Sequence, residues 1–340
     1  MRNLRWELEN EFDSFSYKHI AFNDVDPIYF LVRYANLTEE QKKRVIFTNL
    51  MIYDLGVSID TVAIEDKDKF YDRVTEVFQQ MKVGKDRKHV AIREGHPNCK
   101  TKGTMVPLMR EHKPQEWIDL IMDETKQKLS WYESVKSAKM IPTFGEYFAF
   151  KTADMIETCF DIDKSHGYKV KWDKGFLKTI PRGALTGYET VRARSRSNFR
   201  KPPVVREDEE MQIFYEEKLQ KFGNIPCPHK RTRNMSVLEV ETLLCDFRKV
   251  WQGSLDYTEK VMKCKKAIDK NPDNIYAEGM KYPLDVMMKR REYLMNEVGI
   301  ENITESHCKE DIFEWYKENK NKTFDNHFSE NYSIQNGRFF

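Results

Sequence analysis

With 340 residues, 40% of them hydrophobic and 13% aromatic, the chain can bury a sizeable core, which excludes a disordered protein. No apolar run reaches the roughly 18 residues that cross a bilayer, and the start Met1-Arg2-Asn3-Leu4-Arg5-Trp6-Glu7 has no apolar signal core, so a cytosolic protein with no membrane partner is expected. The net charge of +2 is unevenly placed: Lys164 to Arg206 holds twelve Lys and Arg against Asp173 and Glu189, a local balance of +10 on a body of −8, which points to a localised polyanion contact.

Helical signals dominate in chain order. Thr38 and Gln41 form a capping box that opens a helix through about Leu55. Thr61 to Ile64 is a weak strand candidate. Trp117, Leu120, Ile121, Leu129 and Tyr132 fit an amphipathic helix from about Pro114 to Ala138. After Pro142 and Gly145, the positions Ala149, Ala153, Ile156 and Phe160 repeat at helical spacing. Lys169 to Lys171 is a second weak strand candidate, and Ser165 to Pro203 reads as a long irregular basic connection. Ser236 and Glu239 form a second capping box, followed by an apolar face of Val240, Leu244, Phe247 and Trp251. A last helix is expected over Glu310 to Glu318, and a polar tail over 321–340. The expected fold class is mainly α.

Three features carry candidate chemistry. The first is Met140-Ile141-Pro142-Thr143-Phe144-Gly145, an apolar–Pro–small–apolar–Gly turn between two amphipathic helices, as in a helix–hairpin–helix motif or an ordinary αα-hairpin. In the first case the N–H groups at Gly145 and beyond, with Tyr147 beside them, suit a DNA phosphate. The helix that follows carries Lys151, Asp154 and Glu157; Lys151 and Asp154 share a face, the ordinary setting of a solvated ion pair. The second is the helix after Ser236, where Glu241, Cys245 and Arg248 form a stripe beside the apolar face, fit either for a pocket lining or for a plain intrahelical contact. The third is the basic stretch with Arg182, Arg192, Arg194, Arg196 and Arg200, interleaved with Tyr188 and Phe199, where guanidinium forks match phosphate oxygens and rings can stack on bases. His96 with Cys99, and Cys227 with His229, offer soft ligands without a zinc-knuckle spacing, so no metal site is expected. The six cysteines follow no framework spacing and read as free thiols.

The stretch FGEYFAFKTADMIE (Phe144 to Glu157), with VETLLCDFRK (Val240 to Lys249) downstream and DPIYFLVRYANLTEEQKKRVIFTNLMIYDLG (Asp26 to Gly56) upstream, resembles the α-glutamyl/putrescinyl thymine pyrophosphorylases of bacteriophages, also called amino acid:DNA transferases. They are related to helix–hairpin–helix DNA glycosylases. The resemblance implies a glycosylase-like helical fold, with an N-terminal helical part over 1–139, a hairpin and catalytic part over 140–320 and a basic loop over 164–206. It departs from glycosylases at Thr143, where the first hairpin Gly stands, and in lacking a four-cysteine iron–sulfur loop.

The implied activity displaces the pyrophosphate of 5-pyrophosphoryloxymethyluracil in double-stranded DNA with an amino acid or polyamine, in the cytoplasm of the infected host. Catalytic candidates are Lys151, Asp154, Asp163 and Glu241, with Asp161 as an equal match for the glycosylase Asp. Gly145, Tyr147, Arg182, Arg192, Arg194, Arg196 and Arg200 are candidates for DNA or pyrophosphate. No cofactor is required and a divalent cation is possible. The alternatives are a base-excising glycosylase on the same scaffold and a non-catalytic DNA-binding protein.

Overall fold

A computed structural model describes residues 2–52, 54–82, 131–140, 145–160, 174–192, 209–253, 255 and 259–324. Its helices are α1 (Arg2–Ala21), α2 (Pro27–Tyr34), α3 (Glu39–Ile52), α4 (Leu55–Val62), α5 (Lys67–Lys82), α6 (Trp131–Ala138), α7 (Glu146–Cys159), α8 (Lys174–Thr179), α9 (Arg182–Val191), α10 (Glu209–Phe222), α11 (Val237–Trp251), α12 (Glu259–Asp269), α13 (Ile275–Tyr293), α14 (Glu305–Lys309) and α15 (Ile312–Asn319). Among the described residues the only extended pairing is an isolated antiparallel bridge between Pro226 and Asn234, and the fold is mainly α as expected.

Local chemistry places the helix ends. Thr38 Oγ1 accepts from the Gln41 N–H and Gln41 Oε1 from the Thr38 N–H, which is the expected capping box at α3. That helix stops at Ile52 rather than near Leu55, because Asp54 is the N-cap of α4 and accepts from the Val57 N–H. The strand candidate Thr61 to Ile64 instead begins with the last two residues of α4. Thr61 Oγ1 donates to the Val57 carbonyl, which settles a β-branched residue in a helix. Ser236 and Glu239 close the second capping box, at α11, and Asp311 caps α15. Within Ser165 to Pro203, α8 and α9 stand where an irregular connection was expected. Lys169 to Lys171 and 114–130 lie outside the described residues.

The chain forms two compact units, one of residues 1–27, 172–261 and 285–340 and one of residues 28–171 and 262–284. In the first unit, aromatic rings of α1, α10 and α11 make the core: Phe12 and Phe15 meet Phe247 edge-on at 5.4 and 5.5 Å, and Phe12 lies 6.1 Å from Phe214. Trp251, at the end of the expected apolar face, is 36% exposed. In the second unit, α6 and α7 pack through Trp131 and Phe150, 5.3 Å apart.

Helix α9 approaches α11 backbone to backbone. Gly183 and Gly187, one turn apart, remove the side chains that would hold the helices apart. A Cβ at Gly187 would stand 2.1 Å from the Leu244 carbonyl oxygen, and one at Gly183 would stand 2.8 Å from Cys245 Sγ. Gly145, by contrast, has an ordinary φ of −76° and open space around its Cα. Gly187→Ala is therefore expected to destabilise the fold by about 2–3 kcal/mol, while Gly145→Ala changes it by less than about 0.5 kcal/mol; urea unfolding of the two variants checks both.

Candidate functional site

Helix α7 is buried along nearly its whole length, from Phe148 to Cys159, although it carries Lys151, Asp154 and Glu157. A helix so enclosed must satisfy its charges inside the protein. Lys151 Nζ stands 2.9 Å from Asp154 Oδ2, and the Tyr29 hydroxyl of α2 donates to the same oxygen at 2.8 Å. The ammonium also lies 5.4 Å above the Phe150 ring. Thr158 Oγ1 donates to Glu157, and Arg33 donates to the Thr158 carbonyl. The pair at Lys151 and Asp154 is thus a dry, phenol-supported carboxylate and not a solvated surface contact. At the head of the helix, Gly145 is exposed and caps with no side chain, and Tyr147 is half-buried against Phe148.

The first unit holds a second polar set, built where α1 ends. Asn23 takes a left-handed conformation at φ 56°, with its N–H on the Ile20 carbonyl and the Asp24 N–H on the His19 carbonyl, a Schellman cap. Asp26 is left-handed too, at φ 45°, and both residues are buried. Two such backbones within four residues are costly and need support from their surroundings. Helix α11 supplies it. Thr242 Oγ1 donates to Asp26 Oδ2 at 2.9 Å and contacts the neighbouring Glu241 carboxylate at 3.4 Å. One turn on, Asp246 receives His19 Nε2 at 3.1 Å and Lys260, with Lys249 at 3.5 Å. Asp24 sits 3.7 Å from the other ring nitrogen of His19 and accepts the Val261 N–H.

These surroundings drive two buried carboxylates apart. Burial pushes Asp24 up to about 6, opposed by His19 and Lys260 and reinforced by Asp246. Burial also works against the charge of Asp246, but Lys260, Lys249 and His19 outweigh it and hold that carboxyl well below the usual range. Burial first, and then the Glu241 charge, raise the Tyr215 phenol well above its ordinary value. Cys245, whose thiol is raised by burial and by Asp246 and Glu241, stays protonated at neutral pH and is no thiolate nucleophile.

A third group comprises Cys227, His229 and Glu239, whose ligand atoms lie within 4.8 Å of one another in the buried interior. His229 Nδ1 donates to the Val25 carbonyl at 2.9 Å, and its Nε2 faces Glu239 Oε1 at 3.2 Å. Arg233 spans both carboxylate oxygens at 2.9 Å, and the Ser236 N–H and hydroxyl bind Oε2. Burial opposes both charges. Arg233 and His229 nevertheless hold Glu239 well below its ordinary value, and Cys227 and Glu239 hold His229 well above.

Of the residues singled out in the sequence, Lys151 and Asp154 meet on α7, and Glu241 lies buried on α11 beside Thr242. Arg182 is exposed at the first turn of α9. Arg192 is not an exposed loop residue: it ends α9, buried, 2.8 Å from Glu9 and 5.1 Å over the Phe214 ring. Asp161, Asp163, Arg194, Arg196 and Arg200 lie outside the described residues. The sequence reading missed Tyr29, His19, Asp24 and Asp246; the run Phe22-Asn23-Asp24-Val25-Asp26-Pro27, dense in turn-forming residues, was the one available signal.

The family model described as amino acid:DNA transferase matches residues 7–256. A putrescinyltransferase of the Delftia phage PhiW-14 is 24% identical over 243 residues, which are 70% of this chain and 71% of that protein. The polar groups above fall within the matched span, except Lys260 and the Val261 N–H.

The raised Asp24 carboxyl sets a pH test. Its neutral form favours the fold, so its contribution is complete below about pH 4 and is lost as pH rises through about 6. Asp24→Asn keeps an acceptor for the Val261 N–H without a charge. Relative to the natural chain, it is expected to gain stability between about pH 4.5 and about pH 7.5, by up to about 3 kcal/mol, as read by urea unfolding at both values.

Proposed function

The chain belongs to the amino acid:DNA transferase family, and from that premise we propose that it attaches an amine to a pyrophosphate-activated thymine analogue in double-stranded DNA. The transferase class and the DNA and amine partners come with the family; the activated base is the finer reading, as is action in the cytoplasm of a phage-infected host. In the proposed step the amine nitrogen bonds to the exocyclic methylene carbon of 5-pyrophosphoryloxymethyluracil. The bond from that carbon to oxygen breaks, pyrophosphate leaves with the electron pair, and the surplus ammonium proton passes to a carboxylate. The base must leave the duplex stack to react.

The observation that carries this reading is the Asp154 carboxylate, held out of water between an ammonium and a phenol. An incoming ammonium can give up its proton only to a base within reach, and a carboxylate in a dry setting attracts a cation far more strongly than one in water. Asp154 and Glu241 are the proposed bases, with Asp163 a third. Lys151, Arg194 and Arg196 are proposed to stabilise the charge growing on pyrophosphate. Gly145, Tyr147, Arg182 and Arg200 are the proposed DNA contacts, the bare N-terminus of α7 suiting a phosphate. Arg192 is proposed to anchor the base of the arginine stretch through Glu9, with no direct role on pyrophosphate. No cofactor is required in this scheme, and a divalent ion on the pyrophosphate is compatible with it.

Incubation of the full chain with DNA bearing the activated base and a panel of amines, putrescine included, is expected to yield a new nucleoside by mass spectrometry. Asp154→Asn and Glu241→Gln are each expected to slow its formation by about 100-fold or more while DNA affinity persists. Absence of a new nucleoside with every amine overturns the proposal, and release of a free base assigns a glycosylase instead.

A further inference from the structure

We infer that Cys227, His229 and Glu239 bind one zinc ion, which fastens the loop over 225–235 to the first turn of α11. The site is independent of the transfer reaction proposed above. The loop is closed by its own backbone: the Cys227 N–H donates to Arg233, the Arg233 N–H to Lys230 and the Met235 N–H to Ile225, around the bridge of Pro226 with Asn234. That tight return turns Cys227 and His229 inward, to 0% and 3% exposure, toward Glu239 at 1%.

The donor chemistry is that of zinc, which takes thiolate, imidazole and carboxylate together. The spacing agrees. Zinc bonds of about 2.0–2.1 Å set a tetrahedral edge of about 3.3 Å, and His229 Nε2 lies 3.2 Å from Glu239 Oε1. The outer partners are those that zinc ligands use. Nδ1 of His229 is spent on the Val25 carbonyl, which fixes the ring and directs Nε2 at the other two ligands. Oε2 of Glu239 accepts from Ser236 and Arg233, and Oε1 accepts from the other arm of the Arg233 fork at 2.9 Å while facing Nε2, so zinc would take the Oε1 lone pair that now meets His229. Binding would replace the direct contact of His229 with Glu239 by two metal bonds and release to solvent both the Nε2 proton of His229 and the thiol proton of Cys227.

The test measures metal in the full chain after passage through EDTA and desalting. About one zinc per chain by mass spectrometry is expected, and well below half that in Cys227→Ser and in His229→Gln. Far-UV circular dichroism confirms that the variants are folded. Should either fail to fold, cobalt loading of the natural chain decides: a thiolate-to-cobalt charge-transfer band, abolished by added zinc, is expected. A natural chain that holds no zinc and shows no such band overturns the inference. So does zinc retained equally by folded variants, which marks an adventitious ion only.

Discussion

Polar groups taken out of water must find partners inside the protein, and in the first unit that demand concentrates at residues 22–26. The chain leaves α1 through a Schellman cap, turns twice through left-handed conformations and does so while buried. Helix α11 holds that segment with a ladder of polar side chains: Glu239 reaches it through His229 and the Val25 carbonyl, Thr242 through Asp26, and Asp246 through His19. Helix α9 packs on the same helix, and the small residues Gly183 and Gly187 allow its close approach at Leu244 and Cys245.

The second unit solves a like problem with a single helix. Helix α7 accepts burial on all sides and keeps its charges by closing them on each other, with Tyr29 as the outside partner. Desolvating an ion pair is expensive, and such pairs seldom repay it in stability alone. The pair offers what the proposed base requires: fixed geometry, little water and a proton acceptor that need not reorganise.

Much of the fold was legible in the sequence because its signals are local. The boxes at Thr38 and Ser236 work through residues three positions apart, and the structure forms both. Asp54 is equally local, but the helix opened by the Thr38 box reads on through it to about Leu55, whereas the structure uses it as an N-cap. The polar clusters were harder to see. His19 meets Asp246 across 227 positions and Tyr29 meets Asp154 across 125, so neither pairing leaves a periodic trace. Periodicity also misdirected the reading of α7, since polar residues at helical spacing describe a wet face unless something else covers them. The basic stretch misled by composition: charge suggested an open loop, whereas apolar Leu185, Tyr188 and Val191 bury α9 in the core.

Glu239 closes the N-terminal box of α11 and at the same time receives His229 and both ends of the Arg233 fork. One carboxylate therefore serves a secondary-structure boundary and a tertiary crossroads together. Across evolution such a position behaves epistatically: an Asp or Gln tolerated by the helix start would still strand a guanidinium and an imidazole. Divergent lineages should accordingly replace positions 229, 233, 236 and 239 as a block or leave all four untouched.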